Sequence, residues 1–273
     1  CGAESWYEIE DFGNAKIDFF RERLPGLESI PSHDTFNRFF SALNPEYFER
    51  IFRHWMFEIC EKYEGVVAID GKTIRGASKC TSSHPAGNPG FKLHMVSAWA
   101  TANGISLGQL KVNEKHNEIV AIPLLLEALD LTGCLVTIDA MGCQTDIAKK
   151  KIECGADYVL ALKENHRNLY NTVKGWFDDL DKKNIDVNKA YYATRYGKYI
   201  TEEEAHGKHE RRECLVYSCQ ALTGMLKDWK GLKAVVRISS QRTIRTTGET
   251  TVNHRFYITS LGLEPQRIAE AIR

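Results

Sequence analysis

The sequence predicts an α/β fold in which a mixed β-sheet is flanked by helices, carries a β-rich insertion and follows a small helical N-terminal unit. Three observations predict it. Helical spacing of apolar residues fills residues 1–64. From Val66 to Leu180, strand and helix patterns alternate in the order β-β-β-α-β-α-β-α. Beyond Leu180, short polar strand-like stretches take over.

In the first unit, Ser32 is placed to cap a helix carrying Phe36, Phe39, Phe40 and Leu43. A second helix follows Asn44-Pro45, with Phe48, Ile51, Phe52, Trp55, Met56 and Ile59 at helical spacing. These aromatics read as core. The period changes near Gly65, which sets the expected domains at residues 1–64 and 65–273.

Strands are expected at Val66–Asp70, Leu93–Ala100 and, after the Asn103-Gly104 turn, Ile105–Val112. A leucine-rich helix follows over Ile119–Leu129, with Pro123 in or near its first turn. Then come the apolar strand Cys134–Ile138 ending on Asp139, a helix over 144–153, a strand over 158–162 and a helix over 167–180. Three antiparallel strands followed by parallel additions under helices is the ribonuclease-H-like order. The insertion is expected over about 185–250. It holds strand-like pieces near 191–200 and 213–218, a helix over 220–229 and a strand over 232–239; a strand over 251–260 and a helix over 265–273 return to the core.

The bulk properties narrow the class. With 273 residues the chain can bury a large core. Its longest apolar stretches, Val66–Ile69 and Cys134–Ile138, are far too short to cross a bilayer, and no charged head with an apolar segment opens it, so a cytoplasmic location without membrane contact is expected. The eight cysteines form no Cys-x-x-Cys pair and read as reduced, mostly buried thiols. The formal charge is zero but unevenly placed. Residues 1–64 hold 7 Lys/Arg against 13 Asp/Glu, and residues 189–255 hold 13 against 7, a local field that attracts phosphate or marks a solvated basic face. The chain starts at Cys1 and stops at Arg273 inside a helical pattern, so a fragment is expected.

Candidate chemistry gathers on two strand ends. In the expected topology the strands ending on Asp70 and Asp139 are parallel neighbours, so the two acids face one another where such sheets bind ligands. Paired carboxylates repel unless cations separate them, and hard oxygen donors suit Mg2+ or Mn2+. A two-metal clamp of that kind serves phosphodiester cleavage and strand transfer. For either Asp alone, a turn or cap role is the plainer account.

Longer motifs carry a family resemblance. Residues 28–46 (ESIPSHDTFNRFFSALNPE), 68–76 (AIDGKTIRG), 94–99 (HMVSAW), Leu107-Gly108-Gln109, Asn117-Glu118-Ile119, 121–123 (AIP), 137–144 (TIDAMGCQ), Asp157-Tyr158 and 162–165 (LKEN) resemble the ISAs-type, H-repeat-associated insertion-sequence transposases of the Asp-Asp-Glu superfamily. The resemblance covers nearly the whole chain. It implies a DNA transposase with Asp70 and Asp139 as catalytic metal ligands, acting on double-stranded element ends and target DNA as a homodimer in a synaptic complex. The family's Glu lies in a His-Trp-x-Ile-Glu segment expected after Arg273, and no residue here matches it. Glu210, within His206–Arg212, is the fallback third ligand, against a salt-bridged or DNA-facing hairpin. If the Glu is missing, the alternatives are a DNA-binding remnant without catalysis or a stand-alone nuclease of the same fold.

Several basic and polar residues are candidate DNA contacts. Lys72 and Arg75 lie close after Asp70, Lys163 and Asn165 close the fifth strand, and His206, Lys208, His209, Arg211 and Arg212 form the densest basic cluster. Against these stand solvated charge for Lys72 and Arg75, and a helix cap for Asn165. Gly71-Lys72-Thr73 lacks the upstream glycine of a phosphate-binding loop, because Gly65 is one residue out of register. His206 and His209 lack the neighbours a zinc site needs, and His33 and His116 read as structural.

Overall fold

The computed structural model describes residues 2–60, 65–74, 93–112, 118–183, 187, 193–205, 207–219 and 226–272. Two compact units divide between Trp55 and Met56, inside a helix, rather than at the change of period near Gly65.

The first unit holds α1 (Trp6–Ala15), α2 (Ile17–Arg23), α3 (His33–Ala42) and the start of α4 (Pro45–Cys60). The expected start signals operate. Ser32 Oγ accepts from the Thr35 amide at 3.4 Å, and Asn44 Oδ1 accepts from the Glu46 and Tyr47 amides at 2.9 and 3.0 Å. Glu10 Oε2 ties α1 to α3 by accepting from the His33 amide and ring at 2.7 Å each. The expectation that the aromatics form a core needs correction. Trp6 stacks on Phe36 and Phe40, whereas Phe39, Phe48, Ile51 and Trp55 are exposed. Short helices have too little interior to enclose so many large side chains.

The second unit is a large mixed sheet with flanking helices. Its elements are β1 (Val66–Ile74), β2 (Leu93–Ala100), β3 (Ile105–Val112), α5 (Glu118–Glu127), β4 (Leu135–Ile138), α6 (Thr145–Glu153), β5 (Asp157–Leu162), α7 (Arg167–Lys182), β6 (Tyr196–Ala205), β7 (Lys208–Ser218), β8 (Ala234–Ile244), β9 (Thr250–Thr259) and α8 (Pro265–Ala271). Spatial order is β3-β2-β1-β4-β5-β9-β8-β7-β6. The β1/β4 and β4/β5 pairs are parallel, and the other ladders are antiparallel. The strands expected as an insertion therefore extend the same sheet beyond β5. Most of the expected helix over 220–229 lies outside the described residues; 226–231 form turns. Pro123 lies in the second turn of the described part of α5, further in than expected.

Strand alternation sorts side chains onto two faces. One face buries Val67, Ile69, Val136, Ile138, Tyr158 and Leu160 together with Leu125 of α5, Ile147 of α6 and Phe177 of α7. The other buries Leu135, Val159, Val216, Val236 and Tyr257 with Ile268 of α8. Cys134, Cys143, Cys214 and Cys219 are buried free thiols, as composition led us to expect. Burial pushes Cys143, Cys214 and Cys219 up to about 12.

Candidate active site

Asp70 and Asp139 stand level on adjacent parallel strands. The β1/β4 ladder pairs Ile69 with Ile138, and each acid is the next residue. Ile69 and Ile138 point into the helix-covered core, so by alternation both acids turn to the opposite face. The register continues sideways: Ile138 pairs with Leu160, and Ala161 pairs with Tyr257. One row thus reads Asp70, Asp139, Ala161, Tyr257. Both acids line a cleft of about 900 Å3 that also takes in Lys163, Arg255 and the last turn of α8 at Ala271 and Ile272.

The two acids are held differently. Asp139 follows the last residue of β4, and its Oδ1 accepts from the Met141 amide at 3.0 Å, capping the 3-10 turn Ala140–Gly142. The plainer cap reading and exposure to the cleft thus coexist in one side chain, because a carboxylate has several lone-pair sites. Asp70 does not end its strand. β1 runs on to Ile74 because β2 continues to pair with it, placing Asp70 opposite Ser97 and Thr73 opposite His94. Gly71 pairs with Val96 in that ladder, and a Cβ there would meet the Glu118 carboxyl at the start of α5.

Two side chains from the loop after β5, not foreseen in this role, brace the turn that follows Asp139. Asn165 Nδ2 donates to the Ala140 carbonyl at 2.7 Å, and His166 Nε2 donates to the Cys143 carbonyl at 2.5 Å. Neither residue caps α7 through its side chain; the cap position is His166, without a side-chain bond. The Asn165 cap expectation is corrected accordingly. Its place after β5 and in the 162–165 motif marked the residue but not its partner, because contacts between sequence-distant loops leave no periodicity to read.

Glu210 is not brought to the acid pair. It lies on β7 in a separate cavity of about 310 Å3, with Oε1 2.8 Å from Arg212 Nε and Oε2 3.2 Å from an Arg242 terminal nitrogen. The Arg212 hydrogen bond, reinforced by Arg242 and opposed by partial burial, lowers its pKa.

The basic cluster also divides. Cys214 and Val216 bury on the acid face and Leu215 on the other, so alternation along β7 places Lys208 and Arg212 with the acids, and His209 and Arg211 opposite. Arg211 pairs there with Glu202 and Glu213 at 3.4 Å each, and His209 lies 3.8 Å from Glu202. The sequence cluster has five members, and the pleat divides the four that are described into two pairs. Lys72 shares the parity of Asp70 and is exposed, as is Lys163. Arg75 and His206 lie outside the described residues.

The donors fit a hard divalent cation. Two carboxylates at one height over one cleft offer hard oxygen ligands, and the His254 ring that also borders the cleft is bonded to Ser239. Among the described residues, no group of three His, Cys, Asp or Glu side chains could hold a metal ion, so the pair stands without a third ligand.

Residues 1–56 match the family described as DDE_Tnp_1-associated, and residues 62–273 match the family described as Transposase DDE domain. The chain is 38% identical to "Putative transposase YncI" of Escherichia coli O157:H7 over 276 aligned residues, covering 100% of this chain and 67% of that protein. It is 35% identical to "H repeat-associated putative transposase YhhI" of Escherichia coli strain K12, covering 100% of this chain and 69% of that one. A chain of the piggyBac transposase synaptic complex with hairpin DNA is similar at a TM-score of 0.40 and 10% identity, over 97% of this chain and 54% of that chain. The chain belongs to the H-repeat-associated DNA transposases of the DDE family.

Proposed function

We propose that Asp70 and Asp139 are metal-ligating acids of a ribonuclease-H-like core that cuts a phosphodiester at an insertion-sequence end and joins the end to target DNA. The observation that carries this reading is the level placement of the two acids on parallel β1 and β4, over one cleft. The sheet order β3-β2-β1-β4-β5, with α5, α6 and α7 on one face and α8 on the other, supports the ribonuclease-H-like assignment.

Mg2+ or Mn2+ bound to the pair would polarise the phosphate and acidify water or a hydroxyl nucleophile. The protein supplies the orientation. The Met141 amide fixes one Asp139 oxygen and leaves the other for ligand, and Asn165 and His166 hold the turn that carries this acid. Lys72, Lys163 and Lys208 share the acid face and suit DNA phosphates, whereas Arg212 on that face is paired with Glu210. Arg211 is committed to two glutamates on the other face and makes a poorer contact. Double-stranded DNA as partner, a homodimer holding two ends, and a cytoplasmic location complete the proposal. The buried free thiols support a reducing compartment, and among the described residues no helix is long and apolar enough to cross a membrane.

The test is a Mg2+-dependent nicking and strand-transfer assay on the full-length protein. Asp70→Ala and Asp139→Ala should each reduce nicking by at least about a hundredfold, in line with removal of an electrostatic group from the reacting centre. Equal nicking by Asp70→Ala would overturn the site. Nicking without strand transfer would favour a nuclease.

A further inference from the structure

We propose that Arg255 is a positioning residue for the DNA backbone, holding a phosphate that flanks the bond cut at the acid pair. The inference rests on the reading of Asp70 and Asp139 as the reacting centre, and adds the direction in which the DNA strand leaves it.

Placement comes first. Tyr257 stands in the same register row as the acids, and Arg255 is two residues away on the same face of β9, just past the Leu162–Phe256 pair that ends the β5/β9 ladder. Arg255 is therefore displaced from the acid row by about 7 Å along the strand and from Asp139 by roughly 10 Å across the sheet. That distance suits a neighbouring phosphate better than the scissile one. Lys163, at the end of β5, borders the same part of the cleft.

Charge accounting singles Arg255 out. On β7 to β9, Arg211 pairs with Glu202 and Glu213, Arg212 and Arg242 share Glu210, and Arg237 forks onto Asp181. Beyond the end of β8, Arg245 pairs with Glu204. Arg255 is exposed and, among the described residues, has no carboxylate partner. The nearby Tyr257 hydroxyl is neutral and leaves the charge of the guanidinium uncancelled. A guanidinium with uncancelled charge is a strong recognition group for phosphate.

Continuity gives the path. Arg255 and Asn253 line both the acid-pair cleft and the adjoining cavity of about 310 Å3, where Thr201, Ser240 and Thr251 add polar groups. A strand leaving the acid pair would pass Arg255 and then cross this shelf over β8 and β7.

Binding of a short fluorescein-labelled DNA duplex to the full-length protein, followed by anisotropy across a KCl series without divalent metal, tests the proposal. Each lost phosphate contact makes the slope of log K against log salt shallower by about one. Arg255→Gln should lose about that much slope and bind about tenfold more weakly, whereas Arg255→Lys should keep the slope. Lys182→Gln removes the same charge from α7, on the other face, and should leave the slope at wild type. Asn253→Lys should steepen it by about one, a gain that misfolding cannot imitate. A wild-type slope for Arg255→Gln, an equal loss for Lys182→Gln, or an unchanged slope for Asn253→Lys overturns the proposal. No cleavage enters the measurement, so its failure leaves the acid pair standing, and wild-type nicking by Asp70→Ala would leave the slope readable.

Discussion

The Asn165 side-chain amide donates to the Ala140 carbonyl at 2.7 Å and so joins the end of β5 to the turn that carries Asp139. Asn165→Ala should cost about 1 kcal/mol of stability, the usual net worth of one hydrogen bond. It should also weaken metal-dependent nicking about tenfold, as loss of a group that orients a ligand does. The DNA salt slope should not change. A shallower slope with unchanged metal dependence would instead make Asn165 the DNA contact that its position in the sequence suggested.

A Cβ at position 71, next to Asp70, would displace the Glu118 carboxyl, the far end of its side chain. Gly71→Ala should destabilise by no more than about 1 kcal/mol, the low end of the cost of overpacking. In the Gly71→Ala/Glu118→Ala pair, part of that loss should return, measured by urea unfolding as a non-additive coupling. Strict additivity would show that the strand relaxes without help.

Glu210 should behave as a structural carboxylate. Its pKa lies below the ordinary 4.5 because Arg212 and Arg242 bind the ionised form. A depressed folded pKa contributes stability above the unfolded value and loses it as pH falls through the folded one. The gap in urea midpoint between wild type and Glu210→Gln should therefore be full at neutral pH and close below 4.5. Nicking should stay within about threefold of wild type, well short of the hundredfold expected for a metal ligand.

Arg237 is buried over the Phe177 ring and forks onto Asp181 at 2.6 and 3.0 Å. Asp181→Ala would leave a buried guanidinium without its partner and should cost about 3 kcal/mol, at the low end because Asp181 is itself half exposed. Arg237→Met, which fills the volume without charge, should cost less. Thermal unfolding of the two variants checks the order.

How much was legible depended on range. The strands β1 to β5, the helices between them and the caps at Ser32 and Asn44 follow from local patterns, and they appear close to where periodicity put them. Less legible were the length of β1, fixed by pairing with β2, and the joining of β6 to β9 to the same sheet through the β5/β9 ladder. Both depend on backbone hydrogen bonds to partners far away in the chain.

By itself the sequence determined the α/β order and the family, and through motif matches it chose Asp70 and Asp139, because apolar periodicity and motif identity are local properties of the chain. Only the tertiary structure decided which charges share the acid face. Register set the acids level, the pleat sent Arg211 and Arg212 to opposite sides, ion pairs occupied Glu210, and a β9 arginine that no motif marked came to border the cleft. The physical reason is that a side chain's face depends on a two-residue alternation anchored by long-range pairing. Its available charge depends on neighbours that folding alone brings within reach.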